Sequence, residues 1–443
     1  MTPRARRGLS PSSPSTAADP SSLNAGNDSE APDASPEEPS LLSKGAPLPS
    51  AEGLRLGAGY WAWLSAAICS EFGSNLMIFA ISWTATGFGG AKAGLVTSAT
   101  MLFRTVLLLA GGSVGDRYGP RRIMILTDSS MLAVTSLAAV WFAVRRPSVA
   151  SLVVVGAVLG AASAFYMPAS GVFPRLFVDD SHLTRVMATT SSGLQLARIA
   201  GPALGGVLLA WIGLTWVIAV NAASFLLIVT IVLLVIPPRQ ARAPNTAHVT
   251  LRDTWRSIHG TGQHRILLPI LIAFGALVAG TSPSLTLLFP LLARGRGWSS
   301  ADAGLIEAAF MAAALAVGLT VAARGPLHRA GIALIGGPLL TSAGLLIVAA
   351  APTVWIACVG SAGVGIGLVT FNVHAVPRFL AASPPGAQVR LQAVLGLTVT
   401  LPVLILSSLY GLLAEHASPS WALLLATAWT LAAAIIMATK RPF

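Results

Sequence analysis

The stretch Gly111–Arg122, GGSVGDRYGPRR, packs one Asp and three Arg into the seven residues from Asp116 to Arg122. It stands between two long apolar runs in a 443-residue chain that is only 10% charged and 54% hydrophobic. Globular domains carry about 25% charged residues, so the meaning of this cluster depends on what surrounds it. Apolar runs of about 18 residues or more recur along nearly the whole chain, each long enough to cross a bilayer as a helix. They are continuous and do not alternate, which excludes the strands of an outer-membrane barrel. The chain reads as an all-α polytopic membrane protein, and the opening stretch as a charged turn at the membrane surface.

The runs predict twelve transmembrane helices, over 59–85, 91–114, 121–144, 150–173, 187–211, 214–236, 266–292, 302–323, 329–350, 353–377, 390–413 and 420–438. A net charge of +12 would suggest nucleic acid in a soluble protein. Here it reports topology, because cytoplasmic loops collect Lys and Arg. Of the 28 basic residues, five (Lys92, Arg145, Arg146, Arg294 and Arg296) fall on one side, Arg104 and Arg198 fall inside spans, and the other 21 share the opposite side. That bias places both termini in the cytoplasm, with the chain in the cytoplasmic membrane. Residues 1–55, rich in Ser, Pro, Ala and acids, read as a disordered cytoplasmic tail. The polar stretch 237–265 reads as a cytoplasmic linker between an N-terminal half, 56–236, and a C-terminal half, 266–443; its segment LRDTWRSIHG has the pattern of a short interfacial helix. Cys69 and Cys358 both fall inside predicted spans, which argues against a structural disulfide. The first apolar run is too long for a signal-peptide core.

The two halves echo each other. Gly112, Gly119 and Pro120 recur at identical spacing as Gly318, Gly325 and Pro326, while Asp116 is replaced by Ala322 and the Arg pair by Leu327 and His328. Two pseudo-symmetric six-helix halves are the architecture of a secondary transporter, with its path between them near the midplane.

The pattern Gly-x-x-x-Asp-Arg-x-Gly-x-Arg-Arg, formed by Gly112, Asp116, Arg117, Gly119, Arg121 and Arg122, resembles the best-known signature of the major facilitator superfamily. The resemblance implies a cytoplasmic latch, in which Asp116 accepts charge-assisted hydrogen bonds; a positive-inside anchor is the plainer alternative. In span five, Arg198 precedes Gly201-Pro202-x-x-Gly205-Gly206, similar to an element of the drug:proton antiporter branches, with Ala188 and Ala197 at its two upstream glycine positions. Plain helix packing explains small residues there equally well. The surrounding stretch, GAASAFYMPASGVFPRLFVDDSHLTRVMA, resembles the twelve-span third branch of those antiporters, whose members export macrolides, siderophores and other natural products.

Ionisable groups at membrane depth cost about 2.5–3.5 kcal/mol on insertion scales and are functional candidates by default. Glu71 in span one, with Asn75 one turn on, is the first choice for proton coupling, since a carboxyl in an apolar cavity can exchange a proton near neutral pH. A static pair with Arg198 is the alternative. Glu307 and Asp128 are further proton-coupling candidates, although Arg104 and Asp128, at similar depth, read most simply as an ion pair. Asn372, His374 and Phe310 join Asn75 as candidates for the substrate cavity.

No phosphate-binding loop, metal-spaced His/Cys cluster or activated nucleophile is visible. The expectation is therefore no enzyme, no cofactor and no metal. It is a monomer in the lipid bilayer that exports a hydrophobic small molecule in exchange for protons by alternating access. A nutrient importer is the alternative within transport, and a non-transporting sensor or membrane enzyme the alternative outside it.

Overall fold

In hydrocarbon every backbone N–H and C=O must find its partner within the segment, so long apolar runs become helices. The computed structural model describes residues 57–234 and 264–440, apart from 119, 178, 179, 326, 328 and 384–387. The tail, most of the linker and its LRDTWRSIHG segment therefore lie outside the described residues. Among the described residues the chain is helical throughout, with no strand.

The N-terminal part comprises α1 (Ala58–Thr86), α2 (Gly90–Tyr118), α3 (Pro120–Val144), α4 (Val149–Val172) and α5 (Asp180–Leu234). The C-terminal part comprises α6 (His264–Pro283), continued through a π-turn (Ser284–Leu288) into α7 (Phe289–Gly295), then α8 (Ser300–Arg324), α9 (Ala330–Ala350), α10 (Val354–Ala381), α11 (Gln388–His416) and α12 (Pro419–Lys440). Among the described residues ten helices are long and apolar enough to cross a membrane. Serine caps start two of the helices: Ser148 with Ser151 closes a capping box on α4, and Ser299 with Asp302 does so on α8.

The 55-residue α5 is not one straight rod. Gly213, at φ 77° and ψ 171°, breaks it where the sequence places the boundary between spans five and six. The first arm runs parallel to α1, with Gly193 against Ile68, Gly201 against Asn75 and Gly205 against Leu76. The second arm returns along the same helix: Asn221 donates to Met77 Sδ at 3.3 Å, and Gly73 packs on Asn221 and Ser224. This reversal divides α5 into two arms that lie along α1. Asn221 is fully buried, its amide oxygen accepting from Ser224 at 3.2 Å.

Within the N-terminal part α1 packs on α5, α2 on α4, and α3 on α5 and α4. The C-terminal part repeats the scheme with α9 on α10 and α12, and α12 on α6. Two principal contacts join the parts, α2 to α11 and the first arm of α5 to α8. Both are made of small residues, which let backbones approach closely. Gly90 and Gly94 on α2 meet Gly411, Ser407 and Ser408 on α11, and Gly206 and Pro202 on α5 meet Ser300 and Gly304 on α8.

Candidate functional site: a charge pair between two helices

Hydrogen bonds between the two parts are confined, among the described residues, to the end of the bundle where α1 turns into α2. There Ser98 donates to the Leu404 carbonyl at 3.0 Å and lies 2.9 Å from the Ser408 hydroxyl. The Ala91 N–H donates to Glu415 Oε2 at 2.7 Å, and Ser300 donates to the Gly206 carbonyl at 2.9 Å. Arg294 completes the closure: it donates to Thr86 Oγ1 and to the Trp83 carbonyl, each at 2.9 Å, with its guanidinium 4.5 Å from the Trp83 ring centroid. Ser82 also donates to the Thr286 carbonyl, at the π-turn. At the opposite end an added Cβ at Gly318 on α8 or Gly396 on α11 would meet nothing within 4 Å. Among the described residues the hydrogen bonds between the two parts thus gather at one end of the bundle.

Where the first arm of α5 packs on α1, the glycines of span five set a charge pair. Gly193, Ala197, Gly201 and Gly205 recur every four residues and present one smooth stripe to α1. A Cβ on Gly201 would lie 2.6 Å from Asn75 Cβ, so only glycine permits this approach. The approach brings Arg198 to Glu71, with Nε donating to Oε1 at 2.7 Å. Asn75 Nδ2 donates to the Glu71 carbonyl at 2.7 Å and to Oε1 at 3.3 Å. The side chains are 21% exposed for Glu71 and 48% for Arg198, so the pair is not sealed in the core. Arg104 on α2 lies within electrostatic reach of both Arg198 and Glu71, and Tyr166 on α4 within reach of Glu71, Arg198 and Asp128.

Of the two readings left open for Glu71, the geometry contains the pair with Arg198. The pair expected between Arg104 and Asp128 does not form. Similar depth did not bring them together, because α2 packs chiefly on α4 and α11 while α3 packs on α5 and α4. Asp128 is 2% exposed and its Oδ2 makes no hydrogen bond. Glu307 is half-buried on α8 and bonds to no described residue. His374 is engaged at both ring nitrogens: Nδ1 lies 2.8 Å from the Thr370 carbonyl, and Nε2 accepts the Leu327 N–H at 2.9 Å. It holds the backbone of Leu327, in the segment whose sequence echoes the latch motif. Phe310 is also core, buried where α8 and α10 touch at Gly365. Asn372 is half-buried and its amide oxygen has no hydrogen-bond partner among the described residues.

In the latch motif, Gly112 is helical on α2, while Gly119 and the side chains of Asp116 and Arg117 lie outside the described residues. Arg121 Nη2 donates to the carbonyls of Val232 at 3.2 Å and Leu233 at 3.4 Å, capping the end of α5. Arg122 is exposed. The seam residues Gly90, Gly94, Ser98, Ser407 and Gly411 had gone unremarked in the sequence, although their four-residue spacing is the signal of close helix packing.

The family model for the Major Facilitator Superfamily matches residues 63–380. The multidrug efflux pump Tap of Mycobacterium tuberculosis is 29% identical over 171 residues, which cover 37% of this chain and 40% of that protein. The multidrug efflux pump LfrA of Mycolicibacterium smegmatis is 35% identical over 150 residues, covering 32% of this chain and 27% of that one. The chain therefore spans less than half the length of these curated relatives. Among solved structures, a bacterial homologue of the iron transporter ferroportin in an inward-facing state superposes with TM-score 0.70 at 16% identity, covering 86% of this chain and 98% of that one. The nucleoside transporter NupG superposes with TM-score 0.68 at 12% identity, covering 86% and 98%.

Proposed function

Because the chain belongs to the Major Facilitator Superfamily, we propose that it exports a hydrophobic small molecule across the cytoplasmic membrane in exchange for protons, by alternating access through twelve crossings. The observation that carries this reading is the half-exposed Glu71–Arg198 pair between α1 and α5, at membrane depth. The relatives named as multidrug efflux pumps support the direction and the substrate class. In this reading both termini are cytoplasmic, the sealed end faces outward, and the unsealed end admits substrate from the cytoplasm or the inner leaflet.

The coupling runs through Glu71. A proton on its carboxylate removes the counter-ion of Arg198 and weakens the charge-assisted bond between α1 and α5. Pro202 and Gly206 follow Arg198 by one and two turns on the same helix, and they form the α5–α8 part of the outer seam. Release of Arg198 therefore changes the restraint on the arm that seals the outer end. Asn75, bonded to the same carboxylate oxygen, holds Glu71 in place. Asp128 and Glu307 remain secondary proton carriers, and Asn372 faces substrate.

The test is accumulation of lipophilic fluorescent dyes in inverted vesicles energised to be acid inside. Export predicts accumulation that a proton ionophore abolishes. Accumulation indifferent to the ionophore rules out proton coupling, and accumulation only in right-side-out vesicles makes the protein an importer.

A further inference from the structure

A groove of about 750 Å³ opens between the first turns of α9 and the last turn of α10. Arg329, Ile332, Ile335, Gly336 and Leu339 from the α9 side and Arg378 from α10 line most of it. Its volume falls within the roughly 300–1,000 Å³ of small-ligand sites. Ile332 is 61% exposed and Leu339 47%. They repeat at seven residues with Leu346, giving α9 an apolar stripe away from its principal neighbours, α10 and α12. In a membrane protein such a stripe meets acyl chains.

The polar end of the groove is cationic and unsatisfied. Arg378 Nη1 is buried without a hydrogen-bond partner among the described residues, and a buried charged donor left unpaired costs more than the roughly 1–3 kcal/mol of a neutral one. Arg329 is exposed, neither arginine has an ion-pair partner among the described residues, and no acid lines the groove. Arg329 is also the N-cap of α9 and provides no side-chain cap, so the positive end of that helix points at the same place. The floor is open at Gly336, where an added Cβ would meet nothing within 4 Å.

We infer that this groove binds an anionic phospholipid. The phosphate sits between Arg329 and Arg378 at the start of α9, and an acyl chain lies along Ile332, Ile335, Gly336 and Leu339. Charge complementarity selects an anionic headgroup. The apolar floor, continuous with the lipid-facing stripe, selects a lipid over a soluble anion. The groove is at the unsealed end, beside the basic turns, where basic pockets between helices meet the headgroups of the inner leaflet.

Native mass spectrometry of the detergent-purified full chain, titrated with phosphatidylglycerol or phosphatidylcholine, tests this. Phosphatidylglycerol is expected to bind preferentially. Each surface arginine contributes about fivefold, so the double variant Arg329→Gln/Arg378→Gln should bind it about 25-fold more weakly, with phosphatidylcholine binding unchanged. Gly336→Leu keeps both charges and fills the floor, and should lose phosphatidylglycerol as well. Millimolar inorganic phosphate should not displace the lipid. Wild-type affinity in either variant overturns the proposal, and displacement by inorganic phosphate shows a soluble-anion pocket instead. If the double variant does not fold, Arg329→Gln alone decides, since Arg329 is exposed and its side chain bonds to no described residue.

Discussion

Adding one methyl group to the α2–α11 seam should push the protein toward a state in which that seam is open. A Cβ on Gly411 would fall inside the van der Waals envelope of the Gly90 carbonyl oxygen and 3.2 Å from Gly94 Cα. A Cβ on Gly90 would meet the Gly411 carbonyl in the same way and lie 3.1 Å from the Glu415 nitrogen. These obstacles are backbone atoms, which cannot rotate aside as a side chain can. Relief requires the helices to part by about 1 Å, which forfeits much of the dispersion between them. Parting also stretches the 2.7 Å bond from Ala91 N to Glu415. Overpacking of this kind costs about 1–3 kcal/mol. The cost falls only on the state in which the seam is closed, so Gly411→Ala should raise the ratio of seam-open to seam-closed molecules by roughly 5- to 150-fold. The assay is a spin–spin distance distribution between labels at Arg146 and Thr353, exposed positions near the sealed end of each half, with Cys69 and Cys358 first replaced by serine. A new, longer distance should appear in Gly411→Ala and in Gly90→Ala. The same methyl at Gly318 or Gly396, where it meets open space, should not produce it. An unchanged distribution in folded Gly411→Ala protein would show that the seam is not the closure.

Phe310→Ala should behave as a core truncation, costing about 3–5 kcal/mol and lowering abundance without changing the range of substrates; normal abundance with altered selectivity would return Phe310 to the cavity. His374→Phe leaves the Leu327 N–H without its acceptor and should lower the melting temperature, by an amount equivalent to about 1 kcal/mol, while His374→Gln recovers part of it; equal stability of the two variants would show that the bond does not matter. Gly201→Ala should push α1 from α5 at Asn75 and weaken the Glu71–Arg198 contact, so that transport falls more than abundance; a proportional fall in both would make span five packing alone. Asp128→Asn combined with Arg104→Gln should show no mutual rescue of abundance, because the two side chains do not pair; rescue would restore the pair.

The helices were legible in the sequence because bilayer thickness and backbone satisfaction act on composition alone. Even the break at Gly213 coincides with the gap between the apolar runs that became the arms of α5. What sequence could not supply was azimuth. Arg104 and Asp128 sit at one depth, but depth along a helix does not say which face a side chain occupies, and their helices turn to different neighbours. The same ambiguity left Glu71 between a free carboxylate and a partner of Arg198, until the small stripe Gly193, Ala197, Gly201 and Gly205 fixed the rotation of α5 against α1. Glycine and serine at four-residue spacing on α2 and α11 were visible as letters. Their function as a seam appeared only when two helices more than 300 positions apart in the chain were seen to face each other. Asn221 and Arg378 gave no signal either: a single amide or a boundary arginine is ordinary in sequence, and becomes informative only through what surrounds it.

Substrate-driven proton movement in liposomes, compared between wild type and Glu71→Gln, tests the coupling most directly. Glutamine keeps the size of the side chain and can still accept from Asn75 and Arg198, but it cannot carry a proton. Wild-type protein should move protons when substrate is added on one side and should concentrate substrate against a gradient. Glu71→Gln should still exchange substrate passively, with proton movement and accumulation both lost. Proton movement at wild-type rate in the variant would contradict the assignment of Glu71 and transfer the coupling to Glu307 or Asp128.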